Sequence, residues 1–349
     1  MNRNGQFTSL CLWGAVLLQF AGPPVGAEEG LQKYEFQQIR MGVPVKIVLY
    51  APGEEVANKA AEAAFARFKE LDRILSDYDP DSEVSQLCRQ PAGTTVKVSQ
   101  DLATILDWSL RYSRESEGAF DVSVGPLIKL WRISRRRKEL PGPAQLAEAK
   151  HRCGYQSVQL NTKEQTVTLL KEDMQLDFGG IAQGYAADEA LKILKTHGLS
   201  RVLIDASGDL VLGDPPPGKD FWKIEVEPLK QGQDNAPPTY LALKNCSVTT
   251  SGDAYQFVEI AGQRYSHIVD PSTGLGLTRR SSVTVLAPTG IEADALATMI
   301  SILGPEAGLK LLADKPGYEL HAVTMDQTSS TPSIKDSVGF GKLLLPEHD

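Results

Sequence analysis

The chain has 349 residues, of which 42% are hydrophobic and 23% charged, as is typical of a globular protein with one large domain or two small ones. Its formal net charge of −8 argues against general nucleic-acid binding, because nucleic-acid-binding proteins usually present a basic face. The one basic run, at residues 135–138, predicts a solvated loop, with a docking patch as the alternative.

The first 27 residues indicate a secretory leader rather than a part of the fold. A weakly basic start is followed by an apolar stretch at residues 10–20, which is too short to span a bilayer comfortably. Small residues at 25 and 27 then fit a cleavage site. We therefore expect a cleaved signal peptide at 1–27 and a periplasmic mature chain at 28–349. A lipid anchor on Cys11 is disfavoured because the apolar stretch follows that cysteine, and no later stretch predicts a stable membrane span.

Helical and strand patterns alternate irregularly along the mature chain. The spacing of apolar residues predicts helices at 54–76, 102–113, 144–151, 181–196, 293–303 and 306–313. Alternating or β-branched runs predict strands at 34–40, 45–50, 158–160, 166–170, 202–204, 210–212, 221–226, 241–243, 282–286 and 320–324. A polar insertion at 230–238 separates two of these strands. Hairpin-like pairs and the absence of a Pro/Gly-rich linker predict one compact unit of the α+β class.

The segment DFGGIAQGYAAD, residues 177–188, places an acid and adjacent glycines just before a predicted helix. It lacks the spacing of a Rossmann fingerprint or a Walker P-loop, and no HRD loop accompanies its DFG. Gly179 and Gly180 let the backbone approach a phosphate, or a metal-bound phosphate, at the start of the helix. The alternative is a tight strand-to-helix turn that only packing requires.

The segment EADALATMISILG places Asp294 and Thr298 four residues apart on one face of a predicted helix. A carboxylate, a hydroxyl and a backbone carbonyl form an oxygen set that suits Mg²⁺. The alternative is that Asp294 lies in the first turn and only stabilises the helix dipole.

The segment RYSHIVDPSTG contains His267, the one histidine that follows a predicted strand in a run of polar residues. A histidine can accept a proton from a hydroxyl nucleophile near neutral pH. The alternative is a structural histidine that closes the turn with Asp270.

Two further segments indicate binding. GAFDVSVGPL carries one acid, Asp121, in an apolar run between two glycines, which indicates either a binding loop or a buried capped turn. LSDYDPDSEVSQL offers Tyr78 for stacking on a planar ligand, whereas Ser82 and Glu83 resemble an ordinary helix cap.

Taken together and in this order, eight segments resemble the FAD:protein FMN transferase family, also called the ApbE family. The segments are MGVPVKI, LSDYDPDSEVSQL, GAFDVSVGPL, DFGGIAQGYAAD, DASGDL, SVTTSGD, HIVDPSTG and ADALATMISILG. The resemblance covers nearly the whole mature chain and implies a duplicated T-fold, which is an α+β architecture.

The resemblance also implies an activity. Family members bind FAD as substrate together with Mg²⁺, attach FMN to a Thr or Ser of a target protein and release AMP outside the cytoplasmic membrane. Their targets include subunits of sodium-pumping quinone reductase and of the Rnf complex. An FAD pyrophosphatase, a non-catalytic exported flavin-binding protein and a ligand-free structural domain are the alternatives.

Residue by residue, the resemblance implies three roles. The FAD-binding residues would be Met41, Tyr78, Ala119, Phe120, Asp121, Asp177, Gln183, His267 and Ile268, with Asp177 at the adenosine end and Tyr78 on either the flavin or the adenine part. The Mg²⁺ ligands would be the Gly180 carbonyl and the Asp294 and Thr298 side chains. His267 is the candidate base that activates the acceptor hydroxyl.

Overall fold

An eight-stranded antiparallel sheet, in the order β1-β2-β6-β7-β10-β15-β16-β17, forms the centre of the molecule. The structure of the protein is a computed structural model, which describes residues 30–226, 239–252, 256–325 and 332–346. The strands are β1 (Gln32–Arg40), β2 (Val43–Ala51), β3 (Thr95–Lys97), β4 (Val158–Asn161), β5 (Thr166–Leu169), β6 (Val202–Ala206), β7 (Asp209–Leu212), β8 (Trp222–Val226), β9 (Thr239–Leu243), β10 (Ser247–Gly252), β11 (Phe257–Ile260), β12 (Gln263–Ser266), β13 (Val269–Asp270), β14 (Leu275–Gly276), β15 (Arg280–Ala287), β16 (Glu319–Met325) and β17 (Ser333–Asp336).

The described residues form the helices α1 (Glu54–Leu75), α2 (Glu83–Cys88), α3 (Gln100–Glu115), α4 (Gly125–Arg137), α5 (Pro143–His151), α6 (Ala182–Thr196), α7 (Gly290–Leu303) and α8 (Pro305–Leu312). Helices α1, α6 and α7 cover one face of the sheet. Because successive side chains of a strand point to opposite faces, Val45, Ile47 and Leu49 of β2 enter the main core with α1, α6 and α7. The opposite face, which includes Val48, is covered by the β8–β9 hairpin.

A smaller core joins α4 and α5 to the hairpins that precede and follow His267. It contains Leu127 and Trp131 of α4 together with Tyr265 and Val269. This core places α4 directly beside the segment that carries the histidine.

The predicted α+β class is confirmed, and the corrections to it are local. Residues 135–138 were expected to form a solvated loop, but 135–137 are the last turn of α4 and Lys138 caps it in the left-handed conformation. Leu127, Trp131 and Ser134 recur at helical spacing and bury one face of this helix. Cations in a last turn also interact favourably with the helix dipole.

Two expectations lie outside the described residues. The leader at 1–27 is one, and the polar insertion at 230–238 is the other. Among the residues that the structure does describe, we find no helix with the length and apolar character needed to cross a bilayer.

Candidate functional site

Two glycines one helical turn apart let the start of α6 lie against α7. A Cβ atom built on Gly180 would lie 2.9 Å from the Thr298 Oγ1 atom. A Cβ atom on Gly184 would lie 2.0 Å from the Gly290 carbonyl oxygen and 2.8 Å from the Asp294 Cβ atom. Neither glycine has a positive φ angle, so close approach rather than backbone conformation requires them.

We expect Gly184→Ala to lower the free energy of unfolding by about 3 kcal/mol, because the added methyl group forces α6 away from α7. Urea denaturation of the purified protein measures the change. Gly341→Ala is the control, since a Cβ atom there meets nothing within 4 Å and the substitution should change stability by less than about 0.5 kcal/mol. Equal effects of the two substitutions would contradict the close helix contact.

Asp188 fixes the N-terminus of α7 from the next turn of α6. Its carboxylate oxygens accept hydrogen bonds from the backbone N–H groups of Gly290 (2.7 Å) and Ile291 (2.9 Å). Burial raises the pKa of Asp188 to about 6, although these two hydrogen bonds lower it. Residues 180, 184 and 188 therefore contact residues 298, 294 and 290, respectively, so the two segments pack in antiparallel order.

The raised pKa of Asp188 predicts a pH-dependent stability. An aspartate has a pKa near 3.8 in the unfolded chain and Asp188 has one of about 6 in the folded chain, so folding takes up a proton between these values. The free energy of unfolding in metal-free buffer should therefore fall as the pH rises from about 4 to about 6, by up to about 3 kcal/mol from this group.

Asp188→Asn should lack this part of the pH dependence, because an amide does not titrate. Urea denaturation of both proteins across this pH range measures it, with the exposed Glu148→Gln as a control that keeps the wild-type slope. Parallel curves for wild type and Asp188→Asn would show that the group titrates at its ordinary pKa.

Asp294 lies at the centre of the helix contact and is 5% exposed. One of its oxygens accepts a hydrogen bond from the Gly184 N–H group at 3.1 Å. Burial raises the pKa of Asp294 well above its usual range, and the negative charges of Asp209 and Asp188 raise it further. A buried carboxylate with acidic neighbours is stabilised by a cation, so this position suits a divalent metal ion.

The position of Asp294 in α7 argues against a role limited to stabilising the helix dipole. We expected Asp294 in the first turn of its helix, but α7 begins at Gly290 and Asp294 lies in the second turn. The acid of the first turn is Glu292, which accepts hydrogen bonds from Thr289 and Tyr318. A dipole effect that fades beyond the first turn therefore does not explain a buried charge at Asp294.

The donor set of this site is oxygen, as Mg²⁺ prefers. Within the described ranges, no group of three or more His, Cys, Asp or Glu side chains is placed to hold a metal ion. A metal beside Asp294 would therefore depend on one carboxylate supplemented by neutral oxygens. The half-buried Thr298 hydroxyl and the backbone at Gly180 lie next to each other and can supply them.

Asp209 is an acid near this site whose role the sequence did not reveal. It is 7% exposed at the start of β7 and accepts a hydrogen bond from the Thr249 hydroxyl at 2.7 Å. Burial raises its pKa to about 7. Asp209 lies in the segment DASGDL and Thr249 in the segment SVTTSGD. Both segments contribute to the family resemblance, but the sequence does not show that these two residues bind each other.

Asp177 belongs to a second cluster at the other end of the glycine segment. Its carboxylate accepts hydrogen bonds from the Gly179 N–H group and from an Arg132 Nη atom, both at 2.9 Å. Arg132 also forms an ion pair with Asp77 and lies over the Tyr78 ring, 4.2 Å from its centroid. Neither Arg132 nor Asp77 was singled out from the sequence, because their partners are distant along the chain.

The loop that contains Ala119, Phe120 and Asp121 is held by its own hydrogen bonds. Both Asp121 carboxylate oxygens accept from backbone N–H groups, those of Ser123 (2.8 Å) and Tyr155 (3.0 Å). Phe120 is buried in the main core and Ala119 is half-buried. The capped turn thus accounts for the Asp121 side chain, and contact of this loop with FAD stays a prediction.

Three other residues with predicted FAD contacts occupy turns and element ends. Met41 has a φ of 49° in the two-residue turn between β1 and β2 and lies half-buried against the main core. Gln183 is the second residue of α6, and Ile268, 9% exposed, follows His267. Their contact with FAD also stays a prediction.

His267 directly follows β12 and is half-buried. Its Nδ1 atom lies 3.2 Å from the Gln256 carbonyl oxygen, which can only accept a hydrogen bond. A proton on Nδ1 would satisfy this contact and would leave Nε2 as the basic nitrogen of a neutral ring. Asp270 does not close this turn with the histidine, since its carboxylate accepts from the Ser272 N–H group at 2.8 Å.

Helix α4 connects the two ends of the site. The Trp131 Nε1–H group donates to the Ser266 carbonyl at 3.0 Å, one residue before His267. The next residue, Arg132, holds Asp177. Two adjacent side chains thus position the histidine segment and the glycine segment relative to one helix.

The sequence of this chain is similar to those of one known protein family. The model of the ApbE family matches residues 41–322. The FAD:protein FMN transferase of Treponema pallidum is 33% identical, with 84% of this chain and 85% of the relative covered. The enzyme of the same name from Haemophilus influenzae is 30% identical, with 82% and 84% covered.

Solved structures resemble the fold as well. The apo form of the flavinyl transferase ApbE of Pseudomonas stutzeri has a TM-score of 0.77 at 27% identity, with 90% of this chain and 97% of that chain covered. The ApbE protein of Thermotoga maritima has a TM-score of 0.79 at 29% identity, with 90% and 100% covered. Sequence and fold therefore resemble the same set of proteins.

Proposed function

This chain belongs to the ApbE family, and on that basis we propose that it transfers FMN from FAD to a Thr or Ser hydroxyl of a target protein and releases AMP. The observation that carries the proposal is the contact between α6 and α7, which buries Asp294 beside Thr298 and Gly180. The relatives from Treponema pallidum and Haemophilus influenzae bear the name of this activity and align over more than four-fifths of the chain.

Asp294, Thr298 and the Gly180 carbonyl would hold Mg²⁺. Bound there, the ion would offset the charge of the pyrophosphate and stabilise the charge that develops on the departing AMP. The residues of the chain supply the geometry: Gly184 orients the Asp294 carboxylate, and Asp188 fixes the start of the helix that carries it.

His267 takes the proton of the acceptor hydroxyl on its Nε2 atom. A hydrogen bond from Nδ1–H to the Gln256 carbonyl would keep the proton on the opposite nitrogen and orient the ring for this role. The hydroxyl oxygen then forms a bond to the phosphorus of the FMN half, and the bond from that phosphorus to the bridging oxygen breaks. AMP leaves with the bridging oxygen, so atoms and charge balance with one proton on the histidine.

FAD is a substrate in this reaction and no flavin redox step occurs. Asp177 and Tyr78 would bind its adenosine half, while the loop at 119–121 and Met41, Gln183 and Ile268 would line the remainder. Positioning of the two reacting groups accounts for much of the rate in phosphoryl transfer of this kind.

The target and the compartment form part of the proposal. A leader at 1–27 would export the mature chain to the periplasm, where its target would be a periplasm-facing flavoprotein subunit of a quinone reductase or an Rnf-type complex. The leader pattern in the sequence supports export, and the family membership supports the target class.

One incubation tests the proposal. The mature chain is mixed with FAD, Mg²⁺ and a candidate periplasmic flavoprotein domain, and the target mass and the release of AMP are followed together. FMN covalently bound to the target is the expected result. AMP release with an unmodified target would identify an FAD pyrophosphatase, and bound but unchanged FAD would identify a flavin-binding protein; either result would overturn the transferase.

A further inference from the structure

Arg132 joins two segments that lie far apart in the sequence, one with Asp77 and Tyr78 and the other with Asp177. Its guanidinium pairs with Asp77 and Asp177 and lies over the ring of Tyr78. We infer that Arg132 is a positioning residue for FAD, which holds the Tyr78 ring and the Asp177 carboxylate together as one receptor for the adenosine half. This inference rests on the proposed function, because it takes FAD as the ligand.

The Tyr78 ring is unusually open for a residue in such a cluster. It is 75% exposed, although Arg132 lies 4.2 Å from its centroid on one side. The exposed ring is therefore accessible to a ligand while the cation holds it in place. An aromatic ring fixed by a cation on one face and open to solvent on the other is suited to stacking on a planar ligand.

The Asp177 side chain is the polar part of the same receptor. Its side chain is 9% exposed and lies near a second carboxylate, that of Asp77. Burial and the charge of Asp77 raise the pKa of Asp177, whereas Arg132, the Gly179 N–H group and Lys129 lower it. Arg132 thus favours the ionised form of Asp177 and fixes its direction, so that its remaining lone pairs can accept from a ligand N–H group.

The chemistry of this receptor favours adenine over the flavin ring. A cation below the Tyr78 ring withdraws electron density from it, which favours stacking with an electron-rich purine over the electron-poor oxidised flavin. The exocyclic amino group of adenine also supplies N–H donors for a carboxylate that has no donor of its own.

The same helix offers a matched control in Arg136, which is exposed in its last turn. No hydrogen bond or ion pair joins Arg136 to another residue in the described part of the chain. Arg136→Gln therefore removes the same charge from the same helix without releasing Asp77 or Asp177.

Equilibrium binding to the full mature chain tests the inference, with FAD, AMP and FMN as separate probes. Arg132→Gln should raise the Kd of FAD and the Kd of AMP by at least about tenfold and change the Kd of FMN less than about twofold. Arg132→Lys should recover part of the lost affinity for FAD and AMP, because an ammonium keeps the charge but cannot donate to both carboxylates as the planar guanidinium does. Arg136→Gln should change each value less than about threefold.

The selectivity between AMP and FMN separates positioning from a structural role, which would weaken both probes together. Unchanged AMP binding in Arg132→Gln, equal losses for AMP and FMN, or equal effects of the two arginine variants would each overturn the inference. If Arg132→Gln does not fold, the exposed Tyr78→Ala carries the same test and should lose AMP binding selectively. These assays need no acceptor, so a wild type that binds FAD but transfers nothing would refute only the transferase.

Discussion

Replacing Asp294 with Asn should lower the release of AMP from FAD by at least about a thousandfold, a loss of about 4 kcal/mol of transition-state stabilisation. The amide keeps the size of the side chain and can still accept from the Gly184 N–H group, but it removes the one carboxylate of the proposed metal site. Turnover is measured by chromatography of AMP at saturating FAD and Mg²⁺.

The same substitution should stabilise the metal-free protein by about 1–2 kcal/mol. Asp294 is buried near Asp209 and Asp188, so its negative charge is costly in the absence of a cation. Urea denaturation in the presence of EDTA measures this gain. Added Mg²⁺ should raise the stability of the wild type but not that of Asp294→Asn, which provides a readout of metal binding that does not depend on activity.

Glu292→Gln is the matched control for Asp294. This residue is 8% exposed on the same helix, but its carboxylate binds Thr289 and Tyr318 rather than the site. We expect turnover within about threefold of wild type together with some loss of stability. Full turnover by Asp294→Asn at saturating Mg²⁺ would rule out the assigned ligand.

Replacing His267 with Gln should slow the transfer of FMN by about 10²- to 10⁴-fold, the usual contribution of a general base, with the Kd of FAD nearly unchanged. Gln has no nitrogen basic enough to take the hydroxyl proton. Single-turnover transfer to the target domain measures the rate, and the acidic limb of the pH–rate profile should disappear in the variant.

His321→Gln controls for the loss of an imidazole elsewhere. His321 of β16 pairs with Asp336 of the edge strand β17 and stacks on Phe340, with ring centroids 4.9 Å apart. The rate of FMN transfer by His321→Gln should remain within about twofold of the wild-type rate. A wild-type rate for His267→Gln would place the base on another residue.

Local patterns were sufficient for most elements, because a helix or strand that buries one face repeats its apolar residues at a fixed period. The 22-residue helix α1 and the β1–β2 pair were predicted this way. Helix α4 was missed because its basic last turn outweighed the spacing of Leu127 and Trp131. The short strands β11 to β14 are too brief to show a period.

The site was predicted only in part, since its contacts join residues far apart in sequence. Helical spacing indicated Asp294 and Thr298 as candidate ligands, and the family resemblance joined the Gly180 carbonyl to them. The structure brings all three residues to one helix contact. Gly184 allows that contact, but the sequence around it does not show that a glycine is required there. The requirement comes from the close approach of Gly290, which is distant along the chain. Arg132 was missed for the same reason, as its acidic partners lie 45 and 55 residues away.

The antiparallel contact of α6 with α7 also limits how this chain can change in length. Each residue of an α-helix rotates the next by about 100°, so a single insertion between 180 and 188 or between 290 and 298 would turn half of the paired positions away from their partners. Insertions between Asp188 and Gly290, which are 102 residues apart, leave that phase intact. Relatives should therefore differ in length within that interval and keep both eight-residue intervals gap-free.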